Sequence, residues 1–191
     1  MSSATDRPEI KFGPYEVTKQ IFLVTAHSFA LVNLKPIVPG HILVCPRTAH
    51  LRLTDLSAAE TADLFTTVQR TQRLLGRCYF SPPGDVSAGG SFTVAVQDGV
   101  EAGQTVPHVH VHVIPRTKGD MGASGTDAIY DKMAAEEGNV GGALWDVQRR
   151  PSPGGGMARV EDAHRSARTA EQMEAEANRY RALLEDVAGG K

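Results

Sequence analysis

The stretch "HVHVHVIPR", residues 108–116, sets histidine and valine at alternating positions. In an extended chain successive side chains point to opposite faces. One face then carries Val109, Val111 and Val113, and the other His108, His110 and His112. Valines in that pattern belong in a core, so the segment asks for a sheet with an apolar layer on one side and a surface or cleft on the other. Along that cleft successive imidazoles would stand roughly 7 Å apart, from the strand rise alone. The chain has only seven histidines in 191 residues. Three in register on one strand, bounded by Gly103 and Pro115, point to chemistry.

The surrounding sequence supplies the other strands. From Ile21 to Val44 it is strand-like: "IFLVTAHSFALVN", a turn at "LKPIVPG", then "HILVCP". Alternation puts Leu31 and Asn33 on one face of the second strand, and His41, Leu43 and Cys45 on one face of the third. Pro39-Gly40 supplies the turn and Pro46 ends the run. "LSAAETADLFTTVQRTQRLLG" reads as a helix with Ser57 and Glu60 at capping-box spacing, a stripe of Leu64, Val68, Thr71 and Leu75, and a stop at Gly76. A Pro- and Gly-rich loop at 81–90 leads into the strand "SFTVAVQDG". After Arg116 the composition turns polar and Gly-rich, with "AIYDKMAAEEG" as a short helical candidate. Thr169 and Gln172 then cap a last helix whose stripe is Met173, Ala177, Tyr180, Leu184 and Val187.

The expected organisation is a disordered start (1–9), one catalytic domain (10–145) with a mobile loop near 117–128, a flexible insertion (146–168) and a C-terminal helix (169–187). Strands with one internal and one terminal helix define an α+β chain with an antiparallel sheet. A formal net charge of −2 offers no broad basic field for nucleic acid. No apolar run approaches the length of a membrane span, and no basic segment followed by an apolar core marks a signal peptide. Cys45 and Cys78 form neither a C-x-x-C pair nor a zinc spacing, which fits a reducing compartment. The expected location is the cytoplasm, and a chain of 20.5 kDa is small enough to reach the nucleus.

Two chemistries suit three imidazoles on one face. H-x-H on a strand can place two nitrogens on zinc, although alternate positions suit two ligands better than three. The other is nucleophilic attack on phosphorus. A neutral imidazole is a good nucleophile near pH 7, and an N-phosphoryl imidazolium is labile enough to be hydrolysed afterwards. Neighbouring imidazoles can orient the nucleophile and donate to the departing phosphate oxygen. "GQTV" just upstream suits this role, since glycine lets backbone N–H groups approach a phosphate and Gln104 adds an amide.

"GQTVPHVHVHVIPR" resembles the signature of the histidine triad family. "SFALVNLKPIVPGHILVCP", "ADLFTTVQRTQ", "FTVAVQDGVEAGQTV" and "EQMEAEANRYRALL" extend the resemblance to its Fhit branch, the dinucleoside polyphosphate hydrolases. The likeness runs from about Phe12 to Arg116 and resumes in the last helix. It implies the two-layer HIT fold, with subunits paired into a homodimer through one continuous sheet. It also implies hydrolysis of Ap3A- or Ap4A-like substrates with release of AMP. By position, His110 would be the nucleophile that carries AMP, His112 the phosphate contact at the scissile bond, and His108 and His41 supporting histidines. Asn33 would contact ribose. Gln97 and Gly103, Gln104, Thr105 and Val106 would contact phosphate, and Phe12, Leu31 and Leu43 would bracket adenine. No protein-bound metal or tightly held cofactor is expected, only Mg or Mn accompanying the substrate.

Four features depart from the family pattern. Tyr15 stands where animal members carry a histidine that touches substrate, and Pro107 replaces a lysine before the triad. The loop at 81–90 is longer, and residues 145–168 read as inserted. These bear on the preferred phosphate chain length. Competing readings are a nucleotide-binding signalling module with slow turnover, a zinc-dependent hydrolase, and a Hint-type phosphoramidase or adenylyl-conjugate hydrolase. "LVN" and the terminal helix argue against the last.

Overall fold

The computed structural model describes residues 8–81, 89–134 and 167–189. The expected disorder of residues 1–7 and the body of the expected insertion, 146–166, lie outside the described residues.

The chain opens with an unexpected hairpin. β1 (Lys11–Phe12) pairs antiparallel with β2 (Tyr15–Glu16) across Gly13-Pro14. The main sheet has five strands: β3 (Ile21–Val24), β4 (Ser28–Val32), β5 (Ile42–Pro46), β6 (Ser91–Val96) and β7 (Val111–Arg116). All neighbours are antiparallel in the order β3-β4-β5-β7-β6. The histidine-bearing strand β7 therefore lies between two others. His112 stands opposite Leu43 of β5 and Ala95 of β6, and Val111 stands opposite Val44 and Val96. Every residue of β7 is buried.

Strand β7 begins at Val111, so only His112 of the three histidines lies within it. His108 and His110 sit on the approach to the strand, where His108 N–H closes a tight turn to the Val106 carbonyl. The even 7 Å spacing of a regular strand does not hold. The His110 and His112 ring centroids are 4.9 Å apart, and the chain bends at residues 106–108 just before them.

α1 (Ala58–Tyr79) starts where the capping box places it. Ser57 Oγ accepts the Glu60 N–H at 3.3 Å, and the Glu60 carboxylate accepts the Ser57 N–H at 2.9 Å. Leu64, Val68 and Leu75 share one apolar core with Val111 and Val113. The helix does not stop at Gly76 but continues for three residues. Beyond the glycine, Tyr79 hydroxyl bonds Tyr180 hydroxyl at 2.7 Å, and the buried Phe80 packs on Phe92 at 4.9 Å. These anchors outweigh the roughly 1 kcal/mol by which glycine disfavours a helix interior.

A second internal helix, α2 (Ala128–Ala134), forms within the short helical candidate "AIYDKMAAEEG". Its Ile129 and Met133 join Ile37 and Ile114 in a smaller core. Since Ile114 alternates with Val113 along β7, this cluster lies on the histidine side of the strand. Between β7 and α2, Arg116 pairs with Asp120 at 2.5 Å and donates to the Thr126 carbonyl at 3.1 Å. α3 (Ala170–Gly189) is capped as expected by Thr169 and Gln172. It buries Met173, Ala177 and Tyr180; the side chain of Val187 lies outside the described residues.

Ser57→Ala removes one member of the capping box at an exposed helix end. It should lower stability by about 1 kcal/mol, as other such caps do. Equilibrium urea unfolding reads this directly, and an unchanged midpoint would mean that Glu60 alone secures the helix start.

Candidate active site

Four histidines are brought together, each held by different partners. Both nitrogens of His108 are engaged. Nε2–H donates to the Pro46 carbonyl at 2.8 Å, and Nδ1 accepts the Gly13 N–H at 3.2 Å. The unexpected hairpin therefore has a direct part in the site. Gly13 adopts φ +56°, and a Cβ there would lie 2.6 Å from Val106 Cγ1, so only glycine lets the hairpin come this close. Phe12, just before it, is buried with its ring 5.4 Å from that of His108 and 5.0 Å from that of His110.

His110 donates from Nδ1–H to the main-chain carbonyl of His108 at 2.9 Å. Its proton is thereby placed on Nδ1, and Nε2 keeps its lone pair. The assignment at His112 is the reverse. Ile37 N–H donates to His41 Nδ1 at 3.2 Å, so His41 carries its proton on Nε2 and donates to His112 Nδ1 at 3.0 Å. His112 then holds its own proton on Nε2. The two Nε2 atoms, a bare lone pair on His110 and an N–H on His112, are both buried without a hydrogen-bond partner. Buried polar atoms are rarely left so. A nucleophilic nitrogen stands beside a hydrogen-bond donor.

Both imidazoles are neutral at physiological pH. Burial is the main cause, pushing His110 down to about 4; the bond to the His108 carbonyl opposes it. His112 lies well below the ordinary histidine value because of burial and then the neighbouring His110 and His41. His108 is lowered by burial too, partly offset by the Pro46 carbonyl.

The other expected site residues differ in what their side chains do. Asn33 is buried; its amide nitrogen lies 3.4 and 3.3 Å from the two His41 nitrogens and directs neither tautomer. Its carbonyl is held by Arg168, whose guanidinium also meets Glu176 of α3 and whose N–H donates to the Leu34 carbonyl at 3.1 Å. Gln97 lies against Gly103, where φ is +92° and a Cβ would come within 2.7 Å of Gln97 Nε2. Its amide donates to the Met133 carbonyl at 3.2 Å. Gln104 is buried and spends its amide on the Leu51 carbonyl at 3.0 Å, bracing the loop before α1. Thr105 Oγ1 is a further buried atom without a partner, close in sequence to the triad. Val106 is buried under Gly13. Leu31 and Leu43 are paired across β4 and β5 and fully buried. Tyr15 is half-buried in the hairpin and Pro107 is exposed.

Several supports escaped the sequence reading. Gly13-Pro14 is a turn signal that could have been read, whereas nothing in sequence marks the Pro46 carbonyl or the Ile37 N–H as partners of a histidine. His50 is another. Its carbonyl accepts the Val109 N–H at 2.8 Å, and its imidazole meets Glu60 at 2.9 Å. The capping carboxylate of α1 is thus one contact away from the triad backbone.

Residues 15–119 match the HIT domain family. A Schizosaccharomyces pombe protein named bis(5'-nucleosyl)-tetraphosphatase [asymmetrical] is 42% identical over 175 residues, 88% of this chain and 91% of that one. The bifunctional bis(5'-adenosyl)-triphosphatase/adenylylsulfatase FHIT of Arabidopsis thaliana is 38% identical over 175 residues, 91% of this chain and 83% of that one. Among solved structures, Plasmodium falciparum diadenosine triphosphate hydrolase in complex with Cyclomarin A aligns with a TM-score of 0.64 at 26% identity, covering 97% of this chain and 90% of that one. The Caenorhabditis elegans NitFhit protein aligns at 0.62 with 36% identity, covering 95% of this chain and 31% of that one. The chain belongs to the histidine triad (HIT) family.

The buried imidazoles make stability depend on pH. As pH falls below 6.5 the unfolded histidines take up protons that buried His110 does not accept until about 4. The stability contribution is therefore complete above 6.5 and lost progressively toward 4. Urea unfolding between pH 7.5 and 4.5 should show a steep decline in the wild type and a shallower one in His110→Ala/His112→Ala. Equal slopes would mean that the two rings are hydrated.

Proposed function

We propose that the protein hydrolyses dinucleoside polyphosphates by forming and breaking a bond between His110 and an adenylyl group. The observation that carries this reading is the pair of opposite tautomers, His110 with a free Nε2 lone pair and His112 with a free Nε2–H, side by side and neutral. The names of the relatives agree on the substrate class, one a tetraphosphatase and one a triphosphatase. His110 Nε2 attacks the α-phosphorus, forming an N–P bond as the anhydride P–O bond breaks and the departing nucleotide takes the electron pair. His112 Nε2–H donates a hydrogen bond to phosphate oxygen at the reacting centre. Water then cleaves the N–P bond and releases AMP, freeing the nitrogen.

Around this centre, Asn33 meets the ribose, and the Gln97 amide with the backbone from Gly103 to Val106 meets phosphate. Phe12, Leu31 and Leu43 form the apolar wall toward adenine. The histidines do not suit a shared metal, since His108 has both nitrogens committed to main-chain partners. Mg or Mn instead travels with the substrate, neutralising its phosphate chain. Two copies pair through β6, which is an edge strand with Val94 exposed at its centre. Both cysteines are free and, among the described residues, no helix is long and apolar enough to cross a membrane; these features support a place in the cytoplasm, with access to the nucleus.

Side-by-side assay of Ap3A, Ap4A and an AMP-amide, with products identified, tests the substrate class; faster cleavage of the amide would move the protein to phosphoramidase chemistry. His110→Ala should lose turnover by several orders of magnitude while keeping nucleotide binding. Near-normal turnover in that variant would remove His110 as the nucleophile.

Stereochemistry tests the path itself. Two in-line displacements each invert phosphorus, so a chiral thiophosphate hydrolysed in isotopically labelled water should show net retention. Inversion would mean direct attack by water and reduce His110 to a base.

A further inference from the structure

A second concavity lies at the outer edge of the sheet, away from the histidines. β3 is the edge strand opposite β6, and beside it a cleft of about 730 Å³ opens between α1 and α3. Its floor is apolar, made by Ile21, Leu23 and Leu74, all buried, and by the half-buried Leu184. Its rim is cationic. Arg70, Arg73 and Arg77 follow one another along α1; Arg47 and Arg181 also line the cleft, with their guanidinium groups already donating to main-chain carbonyls. Glu185 is the one carboxylate among the described lining residues.

That concentration of charge is unusual for a chain whose formal net charge is −2. Arg70, Arg73 and Arg77 sit at helix spacings of three and four, where like charges repel. All three are exposed, and among the described residues none makes a side-chain hydrogen bond or ion pair. Guanidinium groups are the side chains that best grip phosphate and carboxylate. The volume is that of a site for one small organic molecule, which such sites enclose mostly with apolar walls and a few placed polar groups. A polyanion such as nucleic acid would use the rim but leave the apolar floor without a partner. A neutral lipid would use the floor and leave the three guanidinium groups of α1 unpaired.

We propose that this cleft binds an anionic amphiphile, a single alkyl or acyl chain ending in a phosphate or carboxylate. The chain lies on Leu74 and Leu184, and the head meets the arginines of α1. The site is separate from the catalytic one: no histidine is among the described lining residues, and β4 stands between β3 and the strands that carry the imidazoles.

Titration calorimetry with decyl phosphate, kept below its micelle concentration, tests this on the full-length protein. Saturable binding of one molecule per chain is expected, at least tenfold tighter than decanol or inorganic phosphate alone. R70E/R73E/R77E should weaken it at least tenfold while leaving thermal unfolding and nucleotide hydrolysis unchanged. In the wild-type protein, methyl NMR signals of Leu74 and Leu184 should shift on addition of decyl phosphate, which keeps the test independent of the variant's folding. Equal binding of decanol, equal binding by the variant, or unshifted Leu74 and Leu184 methyls would overturn the proposal. So would association with phosphatidylserine vesicles in the absence of any binding of the monomer, which would make the surface a membrane-docking patch instead.

Discussion

The hydrogen bond from His110 Nδ1–H to the main-chain carbonyl of His108 is the interaction on which the chemistry depends. It is short-range, two residues apart, yet it forms only because the chain bends before β7 begins. In a regular strand that carbonyl would join the ladder to a neighbouring strand. Here it takes the proton of the side chain two residues further on, and His110 presents Nε2 as a lone pair. The remaining contacts keep this bend in place: the Val109 N–H on the His50 carbonyl, and His108 pinned between Pro46 and Gly13.

His112 is set by the opposite means. It lies within β7, with a regular backbone, and its tautomer is imposed through His41 by the N–H of Ile37. One imidazole is thus directed by its own backbone and the other by a loop more than seventy residues earlier in the chain. Burial makes both neutral, and neutrality is what a phosphorus nucleophile requires, since a protonated imidazole has no lone pair to offer. Burial also carries a cost. A site made of unprotonated, partly unsatisfied histidines makes the fold weaker in acid, and the apolar layer of valines beneath β7 offsets this.

Much of the architecture was legible from local pattern. The capping boxes at Ser57 and Thr169, the stripes of α1 and α3, and the alternation across β4 and β5 each follow from side-chain spacing within one element. Elements decided by contacts distant in sequence were not. Gly76 reads as a stop, but Tyr180 and Phe92, on other elements, carry the helix past it. The β1–β2 hairpin is only two residues per strand, too short for a periodic signal, and its role rests on Gly13 meeting a histidine 95 residues away. Gln104 could be read as a phosphate ligand from its motif, yet its side chain is occupied by the Leu51 carbonyl.

By itself the sequence determined that three imidazoles share one stretch of chain over a valine core, and with its motifs the family to which the chain belongs. Residue type and spacing are local properties, so they survive without a structure. Only the tertiary structure decided which nitrogen of each ring is free, how far apart the rings stand, and that His41 belongs to the same hydrogen-bonded group. Those depend on donors and acceptors of the main chain, which every residue carries alike, and whose partners are chosen by how distant segments pack.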